Sequence, residues 1–157
     1  MRFIQNRDYE YATKHLTYIP VSKSNSICDK YDIMMDKYGD AGRIRYGIAG
    51  AYNVALLKIS ILRDHMQEYV RGYLSTEGIY KYLNGACAAS TRASLNSTTL
   101  DSLYIAIPPD SLLSEYEKIA KLYLDNIMEN KKQNLELIRL RDFLLPLLMN
   151  GQVIVQN

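Results

Sequence analysis

"NKKQNLELIRLRDFLLPLLMNGQ", Asn130 to Gln152, decides how the chain is organised. Leu135, Ile138, Asp142 and Leu145 fall three and four residues apart, the spacing of one helix face. Upstream, the same row continues through Leu124, Met128 and Lys131. A second row, offset by one residue, runs through Tyr116, Ala120, Tyr123, Ile127, Asn130, Asn134, Leu137, Arg141 and Leu144. Asp110 or Ser111 can cap the start, and neither Gly nor Pro interrupts before Pro146. Leu112 to Leu144 therefore predicts one helix of ~50 Å at 1.5 Å per residue. Such an arm needs a partner. Two offset rows make a wide apolar face, one side for its own domain and the other for a second helix. Asn130 and Asn134 within a seam would sacrifice stability and fix register. An ordinary helix folded back on its own domain, with both Asn exposed, fits the same spacing.

Residues 1–109 predict a compact mixed module, and residues 110–157 the helical arm. The expected class is α+β. "RFIQ" (2–5) and "YDIMMD" (31–36) read as short strands. "RIRYGI" (43–48) alternates basic with apolar, as a half-solvated strand does, and "NVALLKISIL" (53–62) is apolar enough for a buried one. "DHMQEYVRGYL" (64–74) has helical spacing at Met66, Tyr69, Val70 and Tyr73. A second helix is expected from an N-cap at Ser75 to a stop at Gly85. "ACAAST" (86–91) and "LYIAI" (103–107) read as late strands, closed by Pro108 and Pro109.

With 157 residues, 48% of them apolar, the chain can build one real core. No apolar run reaches the ~20 residues of a membrane span. "MRFIQNRDYE" lacks the apolar stretch of a signal peptide, so a cytoplasmic location is expected. Cys28 and Cys87 read as buried free thiols in preference to a disulfide. The net charge of +2 does not by itself announce nucleic acid. Fourteen Tyr without any Trp suit either a wet interface or the edge of a core.

Most catalytic signatures are missing. There is no Gly-rich phosphate loop followed by Lys-Ser/Thr, and no dinucleotide-binding Gly spacing. His15, His65, Cys28 and Cys87 lack the paired spacing of a zinc site. Asp110 after Pro109, with Glu129 and Lys131, fits the loose Pro-Asp…Glu-x-Lys pattern of Mg²⁺-dependent nucleases. That chemistry needs the Glu and Lys on one face of a strand. On a helix they diverge by ~200°, so the solvated-helix reading prevails. Basic residues interleaved with amides are more informative: Gln5, Asn6 and Arg7; Arg43 and Arg45 with Tyr46; and Ser90, Thr91, Arg92 and Asn96. Arg can read guanine through two hydrogen bonds, Asn or Gln can read adenine, and hydroxyls hold phosphates.

"ACAASTRASLNSTTLDSLYIAIPP" (86–109) resembles the closing segment of a target-recognition domain in the DNA-specificity subunit of type I restriction-modification systems. The family pattern is a small-residue run, often Ser-Thr-Arg, then Leu-Asn, a Leu-bearing turn and a strand ending in Pro. "IMENKKQNLELIRLRDFLLPLLMNGQV" (127–153) is similar to the helix that follows it, with Asn-Lys-x-Gln-Asn, Leu-Arg-Asp and Leu-Leu-Pro-x-Leu-Met-x-Gly in family order. "YDIMMDKYGDAGRIRYGIAGAYNVAL" (31–56) fits the middle of the domain.

The resemblance implies a non-catalytic double-stranded-DNA reader. Methylation with S-adenosylmethionine would belong to a modification subunit, and ATP- and Mg²⁺-dependent cleavage to a restriction subunit, so this chain is expected to bind no cofactor or metal itself. The complete family subunit carries two recognition domains and two long antiparallel helices, whereas one of each is present here. The family domain also opens with a Trp-bearing strand that has no counterpart here. A half-subunit shortened at its front is expected. It would pair with a second copy through Tyr116, Tyr123, Ile127, Asn130, Asn134, Leu135, Leu137, Ile138 and Leu144. A ~50 Å spacer matches ~15 base pairs, which suits an interrupted, bipartite site.

Overall fold

The computed structural model describes residues 1–9, 16–88, 94–95 and 97–152. The chain divides into two compact units, Met1–Ala120 and Lys121–Asn157. The first is α+β. Its strands are β1 (Arg2–Ile4), β2 (Thr17–Tyr18), β3 (Ile27–Cys28), β4 (Ile33–Asp36), β5 (Ile44–Arg45), β6 (Gly50–Tyr52) and β7 (Leu56–Ile59). They form a four-stranded sheet in the order β2-β1-β6-β3 and an antiparallel three-stranded sheet β5-β4-β7. Among the described strands only β1 and β6 run parallel. Helices α1 (Gln67–Leu74), α2 (Glu77–Ala88) and the short α3 (Ser97–Leu100) follow. The long helix α4 (Asp110–Met149) starts in the first unit and makes up most of the second.

All four residues of β4 are buried, because this strand divides two cores. Side chains alternate across a strand. Ile33 and Met35 enter a cluster with Ala41, Leu74, Leu83 and Cys87, so this face is covered by α1 and α2. Met34 points the other way and packs with Ile4, Cys28 and Leu56, joining the two sheets. Close approach demands glycine at two places. At Gly50 a Cβ would lie 2.5 Å from the carbonyl oxygen of Arg2, across the parallel pair. Gly42, at φ +90°, would place one 2.7 Å from Cβ of Leu83, so α2 seats directly on the turn that follows β4. Both cysteines are buried free thiols.

The structure corrects several expectations. Ser75 ends α1, its N–H bonding to the carbonyl of Arg71 at 3.0 Å, and does not open α2. Thr76 opens α2, its carbonyl accepting the N–H of Tyr80 at 3.0 Å. The helix then passes through Gly85 to Ala88, carried by Leu83 and Cys87 in the core. Ala86 to Ala88, expected in a strand, are therefore helical; residues 89–91 lie outside the described residues. The expected strand 103–107 pairs with no other strand among the described residues. Its carbonyls are taken instead by phenols one turn apart on α1. Tyr73 donates to Tyr104 O at 2.8 Å and Tyr69 to Ala106 O at 3.0 Å.

Helix α4 runs one turn beyond the expected boundary at Pro146. The proline withholds one N–H, but its own carbonyl accepts the N–H of Asn150 at 3.1 Å. The stop comes at Gly151, φ +66°. Gly151 N–H bonds to Leu148 O at 3.1 Å and Gln152 N–H to Leu147 O at 2.9 Å, the paired bonds of a Schellman cap.

Candidate nucleic-acid interface

The β4–β5 turn, residues 37–43, gathers the groups suited to DNA. Lys37 lies over the ring of Tyr38 at 5.8 Å, and Tyr38 is exposed. Gly39 and Gly42 both have positive φ, which lets the chain reverse with Asp36 and Arg43 still paired through Asp36 N–H to Arg43 O at 3.0 Å. Arg43 pairs through Nε with Oδ2 of Asp40, and its guanidinium lies 5.4 Å from the ring centre of Tyr80 on α2. The Tyr80 hydroxyl donates to the other oxygen of Asp40, which raises the phenol's pKa above its ordinary value of 10.0. Leu95 N–H bonds to Lys37 O at 3.1 Å, tying the 94–95 segment to the same turn.

At the base of this hairpin stands a different arginine. Arg45 is opposite Met34 in the β4–β5 register, so its side chain shares the face of Asp36. Nε and Nη2 reach Oδ2 of Asp36 at 3.0 and 2.7 Å, with both side chains buried, 9% and 1% exposed. Tyr9 supplies a ring 6.0 Å from the same guanidinium. Burial is the main cause that pushes the Tyr9 phenol well above its ordinary pKa. Tyr9 ends a 3-10 turn, Asn6–Tyr9, whose Asp8 accepts the N–H of Gln5 at 3.0 Å. Arg7, in this turn, is exposed, while Gln5 and Asn6 are half-buried.

The structure brings the 3-10 turn to the β4–β5 hairpin at Tyr9, whose ring faces Arg45. It does not put Arg43 and Arg45 on one solvent face. Arg43 precedes the strand and is half-exposed, at 51%, whereas Arg45 is spent inside on Asp36. The reason is the carboxylate at position 36: one buried charge on β4 requires another across from it. Tyr46 is placed elsewhere, 5.0 Å beneath the guanidinium of Arg71 on α1. Ser90, Thr91, Arg92 and Asn96 lie outside the described residues. The sequence reading missed Lys37, Tyr38, Asp40 and Tyr80. The signal available was "KYGDAGR", a glycine-bracketed turn with Asp and Arg three residues apart.

The nuclease pattern does not assemble as that chemistry requires. Glu129 and Lys131 sit on α4, and Asp110 pairs with Arg63 at 2.6 Å. Among the described residues no group of three His, Cys, Asp or Glu is arranged to hold a metal. Of the expected arm residues, Tyr116 meets Tyr69 edge-on at 6.0 Å within the first unit. On the second unit, Tyr123, Ile127, Asn130, Asn134, Leu137 and Ile138 are exposed, and Leu135 and Leu144 half-buried. No described helix is long and apolar enough to cross a membrane.

The family model of the type I restriction modification DNA specificity domain matches residues 2–138. The chain belongs to that family. Its match covers the hairpin, α1, α2 and most of α4. Two curated specificity subunits are similar. The MjaIX specificity subunit of the type I restriction enzyme from Methanocaldococcus jannaschii is 32% identical over 63 residues, 40% of this chain and 15% of that protein. The HindI specificity subunit from Haemophilus influenzae is 29% identical over 97 residues, 60% of this chain and 21% of that protein. No solved structure matches the chain.

Proposed function

We propose that this specificity domain reads double-stranded DNA for a type I restriction-modification complex, without catalysis of its own. The carrying observation is the family match, which spans recognition module and helix alike. In this reading the β4–β5 turn and the 3-10 turn approach the duplex. A modification subunit supplies S-adenosylmethionine chemistry at the chosen site, and a restriction subunit supplies the ATP- and Mg²⁺-dependent steps. Two modules, joined through the second unit, read the two parts of a bipartite sequence. The exposed apolar residues of α4, among them Tyr123, Leu137, Leu140 and Phe143, support such a homodimer.

Methylation mapping of the host genome tests the function. Deleting the gene should erase methylation at one interrupted motif and leave the rest intact, and an unchanged methylome refutes the assignment. Light scattering tests the pairing. A double substitution Leu135→Asp, Ile138→Asp should halve the molar mass at tens of micromolar, where association weaker than ~ −7 kcal/mol is not populated. A wild type that is already monomeric there removes the homodimer.

A further inference from the structure

We propose that Asp40 is a specificity-positioning residue, holding Arg43 against Tyr80 so that Arg43 reads a base edge and not a phosphate. The inference rests on the DNA-reading function proposed above and names a residue within it. Asp40 spends its two oxygens on different elements. Oδ1 accepts the phenol of Tyr80 from α2, and Oδ2 accepts Nε of Arg43 from the turn. Nη2 of buried Arg45 stands 3.9 Å behind Oδ2, a second positive charge that keeps the carboxylate in place. Tyr80 itself is fixed because α2 seats against Gly42, where even a methyl group would collide with Leu83. Arg43 is therefore held along one edge by a carboxylate and on one face by a ring, while half of its side chain stays in solvent.

The electrostatics favour a base over a phosphate. Asp40 offsets the positive charge of Arg43, so the pair contributes little to counterion release. A phosphate approaching Arg43 also meets the Asp40 carboxylate, 30% exposed. The directional N–H donors of the guanidinium remain, and a planar fork already held in place loses less freedom when it binds. Two donors in a fixed plane are what guanine O6 and N7 require. Phosphate contact would fall to cations without such a carboxylate at the same turn, such as Lys37.

The test uses the full chain and a pool of DNA duplexes carrying a randomised block, with the bound fraction sequenced. Wild type should enrich a motif. Arg43→Gln and Asp40→Asn should each lower the preference at one and the same base pair by about tenfold, leaving the preferences at other positions nearly unchanged, while Asp40→Asn, which uncovers the charge of Arg43, should steepen the salt dependence. Should Asp40→Asn fail to fold, Tyr80→Phe removes only the hydroxyl that anchors the carboxylate, and should weaken that same position about threefold. The inference is overturned if folded Asp40→Asn or Tyr80→Phe keeps full preference there. It is also overturned if Asp40→Asn weakens every position together, the mark of a purely structural role. If Arg43→Gln weakens all sequences alike and flattens the salt slope by about one, Arg43 touches phosphate and the inference fails. A wild type that enriches no motif refutes the DNA-reading function itself, and the inference with it.

Discussion

Arg43 and Arg45 stand two residues apart on one hairpin, yet the fold gives them opposite work. Arg45, at the base, is closed in by Asp36, Tyr9 and Met34, on the face of β4 that Met34 packs against the other sheet. Arg43, at the tip, is half in water, its side chain against Asp40 and the ring of Tyr80. Residue type is the same; what differs is the partner's burial. A carboxylate inside the protein commits its arginine to stability, because neither charge can be left alone there. A carboxylate at the surface leaves its arginine available to a ligand and adds little to stability.

The contrast can be broken most forcefully at its base. Arg45→Met strands the Asp36 carboxylate in the core and should cost about 3–5 kcal/mol in urea unfolding. Adding Asp36→Leu to it should recover much of that loss, since a buried pair replaced by apolar groups is often neutral. A single substitution costing under about 1 kcal/mol would mean that water reaches Asp36 and that base and tip are alike.

Met35→Ala, on the helix-facing side of β4, should cost about 2–5 kcal/mol through lost burial and a residual cavity. This change weakens the strand that carries Asp36 and pairs with the arginine-bearing β5, without altering either ion pair. Measured beside Arg45→Met, it separates the packing of the hairpin from its charge.

Helix α1 offers a finer probe. Its N-cap residue, Met66, makes no side-chain cap, and the N–H of Glu68 is satisfied instead by Oε2 of Glu117 from α4 at 2.9 Å. Glu117→Ala should cost about 1 kcal/mol, the value of a lost cap, and an unchanged melting temperature would refute the capping role.

The smallest effects belong to the tip. Arg43→Met should move stability by no more than about 0.5 kcal/mol. Tyr80 should titrate above 10.0, because its bond to Asp40 favours the neutral phenol. The sign follows from linkage. With the folded pKa raised, this stabilisation is complete below the unfolded value and is lost as pH climbs through the folded one. Asp40→Asn should return the Tyr80 titration toward its ordinary value in ultraviolet difference spectra against Tyr80→Phe. A titration unmoved by Asp40→Asn would mean that the carboxylate does not hold the phenol.

Sequence by itself determined the pattern-borne features. The long helix was legible because its apolar rows repeat at helical spacing from Leu112 onward. "YDIMMD" was legible as a strand, and the candidate basic turns were marked by Gly and Arg. Residue pattern does not say which side of an element receives which neighbour. Whether 103–107 paired in a sheet or lay against the phenols of Tyr69 and Tyr73 depended on where α1 packed. Ser75 and Thr76 are both acceptable caps, and the choice between them followed from burial of Leu74 and Leu83. Positions 43 and 45 share one face in any regular strand; only the tertiary structure put Asp36 in the core beside Arg45. A buried charge is decided by the whole surrounding volume, whereas a helix repeat is written in neighbours three and four residues away.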